Sequence, residues 1–490
     1  MWFLTYTRES KGIYVMATRG VDFGGFVLLV AFLGVFNSAT TLDCTDAANL
    51  AAPNITITAA GDYDVTCVGS STWFLFVDGC GNVGSTFVTL QLRSSPKQVI
   101  LSDIGNPSTS LRGCRVNITY FASTTAPAAG ATSARDAHVV VETSSPVGAV
   151  VVTVLGAMHL EGKFMSIEGN GTGSIDLVDI SFPSGSTIEC RSAYPACSTI
   201  LGTAVLGLGL GCPTIGKVRI VLNGTNTSTS MVSSTMPTAS FALIIIDNST
   251  GLSTAPTPRD HEIVVDRVGI LLPETSLLHL RQAVGITTVA NPYPFFNGTI
   301  IVRGVSITTT SASNSPLFNL DNPTVATLMF DGVDSVVGIV SISQGFNQKS
   351  VVCGSVHILL DNCDINSTFD SAVVVPLARE IATLDCALAL DVQAHNVTFS
   401  PRNHRTLVSV SNPPLLLLTI SIKLTVRACK IVLQDASYQV LAIVANTTAV
   451  NSMIQLINTE IVLQWTPYVE SNFNFSSRTV YFTEIAPVSI

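Results

Sequence analysis

Along the C-terminal half of the chain the apolar residues recur in one pattern: apolar, any, apolar, polar or variable, three variable positions, then usually apolar again. It reads IVVDRVGI from Ile263, IIVRGVSI from Ile300, LMFDGVDS from Leu328, ILLDNCDI from Ile358, LDVQAHNV from Leu390, LTVRACKI from Leu424 and IQLINTEI from Ile454, at spacings of 37, 28, 30, 32, 34 and 30 residues. Apolar positions two apart at both ends of each cassette, rich in Ile and Val, predict two short strands separated by a bend. The separators carry Asn, Gly, Pro and Ser, as in Ser311–Pro316 and Asn412–Pro414, which suits turns. Helical periodicity is scarcely visible after the first 39 residues.

A period near 30 residues, with several short strands per unit, predicts a solenoid, because one unit cannot bury its own apolar face and stacked units share a continuous core. The leucine-rich-repeat signature is missing, and a propeller blade needs roughly 40 to 50 residues. The fold class is therefore all-β, a single-stranded parallel β-helix whose coils stack about 4.8 Å apart. Its interior columns are expected to be Ile263, Ile300, Leu328, Ile358, Leu390, Leu424, Ile454 and Val265, Val302, Phe330, Leu360, Val392, Val426, Leu456. Weaker matches at Met158–Ser166, Ile175–Phe182 and Val218–Leu222 carry the stack upstream. We place the repeats at 146–475, irregular early coils or a capping region at 40–145, and a C-terminal tail or truncated continuation at 476–490.

The N-terminus has its own pattern. An apolar run from Phe23 to Phe36 follows Arg19 and precedes the small residues Ser38 and Ala39, the shape of a signal peptide over residues 1–39, with Met16 as the expected true start. As a helix those 14 residues would reach roughly 21 Å, short of the ~30 Å hydrocarbon core.

Composition then narrows the function classes. Charged residues make up 12% of the 490 and hydrophobic ones 47%, with a formal net charge of −9. No basic stripe is present, which argues against a nucleic-acid partner. Beyond the leader no apolar run is long enough to span a bilayer. Ser and Thr number 103, so hydroxyls rather than charges make the polar surface. Sequons for N-glycosylation occur at Asn54, Asn117, Asn170, Asn223, Asn226, Asn248, Asn297, Asn366, Asn396, Asn446 and Asn474. Chance would supply about 5 of these 11, and glycans would help to keep so charge-poor a chain soluble. The 11 Cys show no CxxC spacing, so we expect disulfides rather than a metal, and an oxidising compartment. Cys353 and Cys386 stand before the anchors of neighbouring cassettes by five and four residues, a spacing that predicts a bridge. Cys363 and Cys429, with one coil between them, should not pair with each other.

The bends R-G-V (Arg303–Val305), D-N-C (Asp361–Cys363) and R-A-C (Arg427–Cys429) resemble those of the dispersed gene family surface glycoproteins of kinetoplastid protozoa and related membrane-associated proteins, over residues 150 to 465. More distantly, the architecture resembles that of pectate-lyase-type parallel β-helix proteins. The first resemblance implies a surface protein that binds or adheres; the chain departs from it in being shorter and in lacking C-terminal spans.

Candidate chemistry lies in the fourth cassette position, which alternation turns outward: Asp266, Arg303, Asp331, Asp361, Gln393, Arg427, Ile457. Asp331 and Asp361 are adjacent like charges. Two carboxylates about 5 Å apart suit a retaining glycosidase or half of a Ca²⁺ site; the alternative is a solvated acidic patch. Asp334 and Asp364 form a second such pair three residues on. The run Gly211–Lys217 is one residue short of a phosphate-binding loop and is followed by strand-like sequence, so it is rejected. No HExxH or GxSxG motif appears, and His395 and His404 sit apart across a turn. The sequence therefore predicts a secreted or cell-surface glycoprotein acting as a non-catalytic adhesion scaffold, with no cofactor and no metal. Its expected partners are host, prey or matrix glycans or surface proteins, with self-association along strand edges as a risk. The alternatives are a carbohydrate-active β-helix enzyme working from Asp331 and Asp361, and a fragment of a larger membrane-associated surface protein.

Overall fold

The computed structural model describes residues 4–9, 12–19, 22–23, 26–27, 30–32, 39–43, 54–67, 73–80, 87–103, 111–126, 137–160, 163–169, 173–190, 199–203, 214–234, 242–247, 260–271, 276–281, 296–308, 318–321, 323–335, 340–343, 355–365, 371–376, 387–400, 406–411, 418–433, 439–444, 447–449 and 453–463. Three parallel walls run through them. Wall A holds the longer strands, among them Arg115–Tyr120, Ser174–Phe182, Pro323–Asp331, Ser355–Asp361 and Ala387–His395. A bend leads to the short strands of wall B, such as Asp334–Ser335, Asp364–Ile365 and Thr398–Phe399. Wall C is a 13-stranded sheet running from Asn54–Ile57 to Gln439–Val444. Each strand pairs in parallel with the equivalent strand one turn on, so the chain is a parallel β-helix. Among the described residues there are no helices, and so none long and apolar enough to cross a membrane.

The ladder already begins at Thr40–Asp43, which pairs with Gly61–Thr66. The described strands of 40–145 continue that ladder. Leu4–Glu9, Gly12–Arg19 and Val30–Phe32 form an antiparallel sheet of their own, hydrogen bonded to none of the coils.

The core follows the two-residue period. Ile220, Ile263, Ile300, Leu328, Ile358, Val392 and Leu424 stack in register and are fully buried. Each such side chain contributes about 1.5–3 kcal/mol by leaving water, which is why a wall of plain aliphatics holds the coils together. The column differs from the sequence expectation at one coil: Ile358 pairs with Val392, and Leu390 sits beside Val356. Leu390, Val392 and Ala394 alternate, so a slip of two residues keeps the same face inward and the apolar pattern alone does not fix the register. The bend fixes it, and the bend aligns His395-Asn396-Val397 with Asp361-Asn362-Cys363. Upstream, Ile175–Phe182 and Val218–Leu222 join wall A as expected, whereas Met158–Ser166 spans a wall B strand and the start of a wall C strand.

Candidate functional site

The bend between walls A and B carries the most regular polar chemistry. In seven successive coils its central residue has left-handed backbone: Arg267, Gly304, Gly332, Asn362, Asn396, Ala428 and Asn458, with φ between 48° and 62°. Gly and Asn accept this conformation more readily than other residues, and they fill five of the seven places. The geometry satisfies the backbone in both directions along the stack. The left-handed N–H donates to the bend carbonyl of the next coil, as from Gly332 to Asp361, Asn362 to His395 and Asn396 to Arg427. Two residues later the N–H donates back to the preceding coil, as from Asp364 to Val333, Thr398 to Cys363 and Lys430 to Val397. A turn that would otherwise leave orphan polar groups at a corner is thus tied on both sides.

The residue before each left-handed position forms the outward column, and the structure makes it Asp266, Arg303, Asp331, Asp361, His395, Arg427, Ile457. His395 takes the place expected for Gln393, a consequence of the two-residue shift. Asp331 and Asp361 are register partners as expected, about 4.8 Å apart by strand spacing. Their repulsion is relieved from both flanks. Asn362 Nδ2 donates to Asp331 Oδ1 at 3.2 Å, and the His395 imidazole meets Asp361 Oδ1 at 2.9 Å through Nδ1. The Asn362 amide oxygen in turn accepts from Asn396 Nδ2 at 2.7 Å, so three coils are linked by one run of polar side chains. The Asp361 and His395 side chains are 50% and 57% exposed, on a corner rather than in a cleft. Asp334 and Asp364 also pair in register; burial, and then the charge of Asp334, hold the Asp364 carboxyl above the ordinary carboxylate range.

Just inside the bend, Val333, Cys363, Val397, Cys429 and Thr459 form a buried column. The two cysteines do not pair with each other, as expected with Val397 between them, and both thiols are free. Cys363 Sγ lies 3.1 Å from the Asp361 carbonyl and 3.6 Å from that of Phe330. Thr459 reaches the equivalent carbonyls of Ile457 and Val426 with its hydroxyl, so Cys and Thr serve here as small polar plugs. Burial, with the nearby Asp331 and Asp361 charges adding to it, pushes the Cys363 thiol up to about 11, which keeps it a poor nucleophile.

A second polar column runs along the start of wall A. Arg219 bridges Asp179 and Glu262 at 3.2 and 3.6 Å, Lys217 reaches Glu262 at 3.0 Å, and His357 meets Asp391 at 3.2 Å. The coils at Ser355–Asp361 and Ala387–His395 are therefore clipped by two His–Asp contacts with donor and acceptor exchanged. Sequence reasoning missed both, since neither His is near its Asp along the chain; the signal available was the match of D-N-C to H-N-V at the bend.

Of the cysteine expectations, Cys353 and Cys386 lie outside the described residues. The bridge the structure does describe joins Cys80 to Cys114, with Cα atoms 6.0 Å apart; Cys67 is also in a disulfide. Among the sequons, Asn396 is exposed at the bend, and Asn117 and Asn223 are half-buried on outward positions, where they accept from Arg115 and Arg267. Asn54, Asn226 and Asn297 lie in strands, and Asn170, Asn248, Asn366, Asn446 and Asn474 lie outside the described residues. Among the described residues no cluster of three His, Cys, Asp or Glu is placed to hold a metal ion. No protein-family model, curated protein or solved structure matches the chain.

Proposed function

We propose that this chain is a secreted or cell-surface glycoprotein whose stacked faces serve as a non-catalytic binding or adhesion scaffold. The observation that supports it most is the use to which the acidic pair is put. Asp331 and Asp361 are bound into contacts between coils by Asn362 and His395, on an exposed corner. A general acid needs a carboxyl kept protonated near neutral pH, as burial or an unrelieved neighbouring charge can do, and a glycosidase needs room for a sugar between its two carboxyls. This corner instead consumes the carboxylates in holding register. The leader, the sequon excess and the disulfide Cys80–Cys114 support a passage through the secretory pathway. The partner class that suits a long, weakly charged face rich in hydroxyls and amides is a surface glycan or glycoprotein.

The test is to produce the full chain in a eukaryotic secretory host and assay the secreted product for N-glycan mass, for binding to matrix glycans and cell surfaces, and for polysaccharide cleavage. Glycosylated protein that binds saturably, with binding unchanged in Asp331→Asn and Asp361→Asn variants, is the expected result. Cleavage of a polysaccharide that both variants abolish would overturn the reading in favour of a lyase or hydrolase.

A further inference from the structure

Between the two polar columns of wall A runs a third outward column, and over five successive coils it is wholly aliphatic: Val221, Val264, Ile301, Met329 and Leu359. Its members alternate with core residues along each strand and so face out; Met329 is 36% exposed. The column turns polar at both ends, at Ser181 on the upstream side and at Gln393, Thr425 and Gln455 downstream. A contiguous apolar stripe about 19 Å long at the ~4.8 Å coil spacing, bounded by polar residues, is the form of an association surface.

We infer that this stripe is the centre of a face-to-face contact with a second copy of the same chain, related by a twofold axis parallel to the solenoid axis. The flanking charges select both the occupant and the orientation. Such an axis sets each coil against the same coil of the second copy with strand direction reversed, so that the residue two before the stripe meets the residue two after it. His357 then faces Asp361 of the second copy, and Asp391 faces its His395. Each copy's His–Asp contacts, at 3.2 and 2.9 Å, join those of the other in one alternating cluster. Thr299 faces Arg303 and Thr327 faces Asp331, while Glu262 and Asp266, which would meet, are already neutralised by Lys217, Arg219 and Arg267. Lys423 would face Arg427, a like-charge meeting at the coil where the stripe is no longer apolar, so the contact ends there. The reverse orientation, with the stripe again centred on Ile301, would set Asp266 against Asp331 and forfeit both His–Asp matches. A self-complementary patch of this kind is what an isologous dimer requires.

The experiment is analytical ultracentrifugation of the secreted full chain at micromolar concentration, with Met329→Asp and Leu359→Asp variants checked for an unchanged circular dichroism spectrum. A dimer of the 51.6 kDa chain that each variant weakens at least about tenfold is expected. Should a variant misfold, Leu359→Cys decides, because only the proposed orientation brings that position against its own counterpart and yields a disulfide-linked dimer under mild oxidation. A monomer at 50-fold higher concentration (about 50 micromolar against 1) would overturn the inference, and so would a dimer that Leu359→Cys does not cross-link.

Discussion

The two halves of the solenoid stack the same wall by different means. From Arg267 to Asn458 every bend repeats one left-handed residue and one small buried plug, and every bend but the last, where Ile457 stands, one outward polar side chain. Among the described residues, the coils before it do not repeat that bend. Arg93, Phe121 and Leu155 directly follow the wall A strands, each N–H donating to the coil before, and the Arg93 guanidinium lies 4.0 Å above the Phe121 ring. Order there comes from elsewhere: the disulfide Cys80–Cys114, and a buried aromatic group in which His138 packs against Tyr120 and Phe164, with Phe182 beyond. A corner repeated in every coil spreads its stabilisation over many weak identical contacts, whereas the earlier coils concentrate theirs in a few strong ones. Single substitutions should therefore hurt the early coils more.

The largest effect is expected at the disulfide. With its cysteines 34 positions apart, Cys80–Cys114 should contribute about 4 kcal/mol in the chain-entropy picture. Limited proteolysis of Cys114→Ser should cut first within residues 54–126 while fragments from 296–433 persist. Uniform loss of both halves would show that the two are not held separately.

Next comes His138, fully buried, with neither ring nitrogen finding a partner of normal hydrogen-bond geometry. Burial lowers its pKa to about 4, against a weaker opposing contact with the Lys97 backbone. The folded state thus refuses a proton that the unfolded chain takes up below its ordinary value near 6.5. Stability is complete above that value and is lost as pH falls from about 6.5 toward 4, by about 3 kcal/mol in all at 1.36 kcal/mol per pH unit. Denaturant melts of the early coils should show this slope, and His138→Phe should flatten it. An unchanged slope in that variant would assign the effect to other groups.

A third test exploits an imperfection in the repeated corner. Ala428 holds the same left-handed backbone, φ 52°, that Gly304 and Gly332 hold without cost. Ala428→Gly should raise stability by roughly 0.5–1 kcal/mol, and Gly332→Val should lower it by about 1–2 kcal/mol. Thermal melts that move the same way for both would mean that the left-handed ladder is not what shapes the corner.

These contrasts also explain what could be read from the chain. The later coils were legible because Ile, Val and Leu recur at a steady period and the bend brings its own residue types with it. The early coils were not, since their corners repeat no left-handed Gly or Asn, and the 40- and 43-residue intervals from Ile180 to Ile220 and from Ile220 to Ile263 blur the period. The one register error, Leu390 for Val392, arose because alternating Leu, Val and Ala are interchangeable as wall residues; aligning on Asn362 and Asn396 removes it. The acidic pair was legible as a pair, but its partners were not: Asn362 and His395 reach the carboxylates only through the stacking of coils 31 to 34 residues apart. His138 and the Cys80–Cys114 bridge carried no pattern at all, being single events in irregular stretches.

The smallest expected effect is the one that bears most on function. Asp361 and His395 are both half exposed, so their contact is screened by water and salt, and a pair of this kind contributes about 0.2–1 kcal/mol. Asp361→Asn keeps an oxygen that can accept from His395 Nδ1 and should shift a melt by no more than that range. It should also relieve the crowding of charge between Asp331 and Asp361, so part of the lost attraction is returned. Raising salt should shrink the difference between wild type and variant further, because both terms are Coulombic. A destabilisation of several kcal/mol would instead mark Asp361 and His395 as a strongly coupled pair whose breaking leaves the imidazole uncompensated, and would reopen the corner as a site. A near-neutral result leaves the two carboxylates as parts of a register device, and leaves the proposed binding to the faces of the walls rather than to this corner.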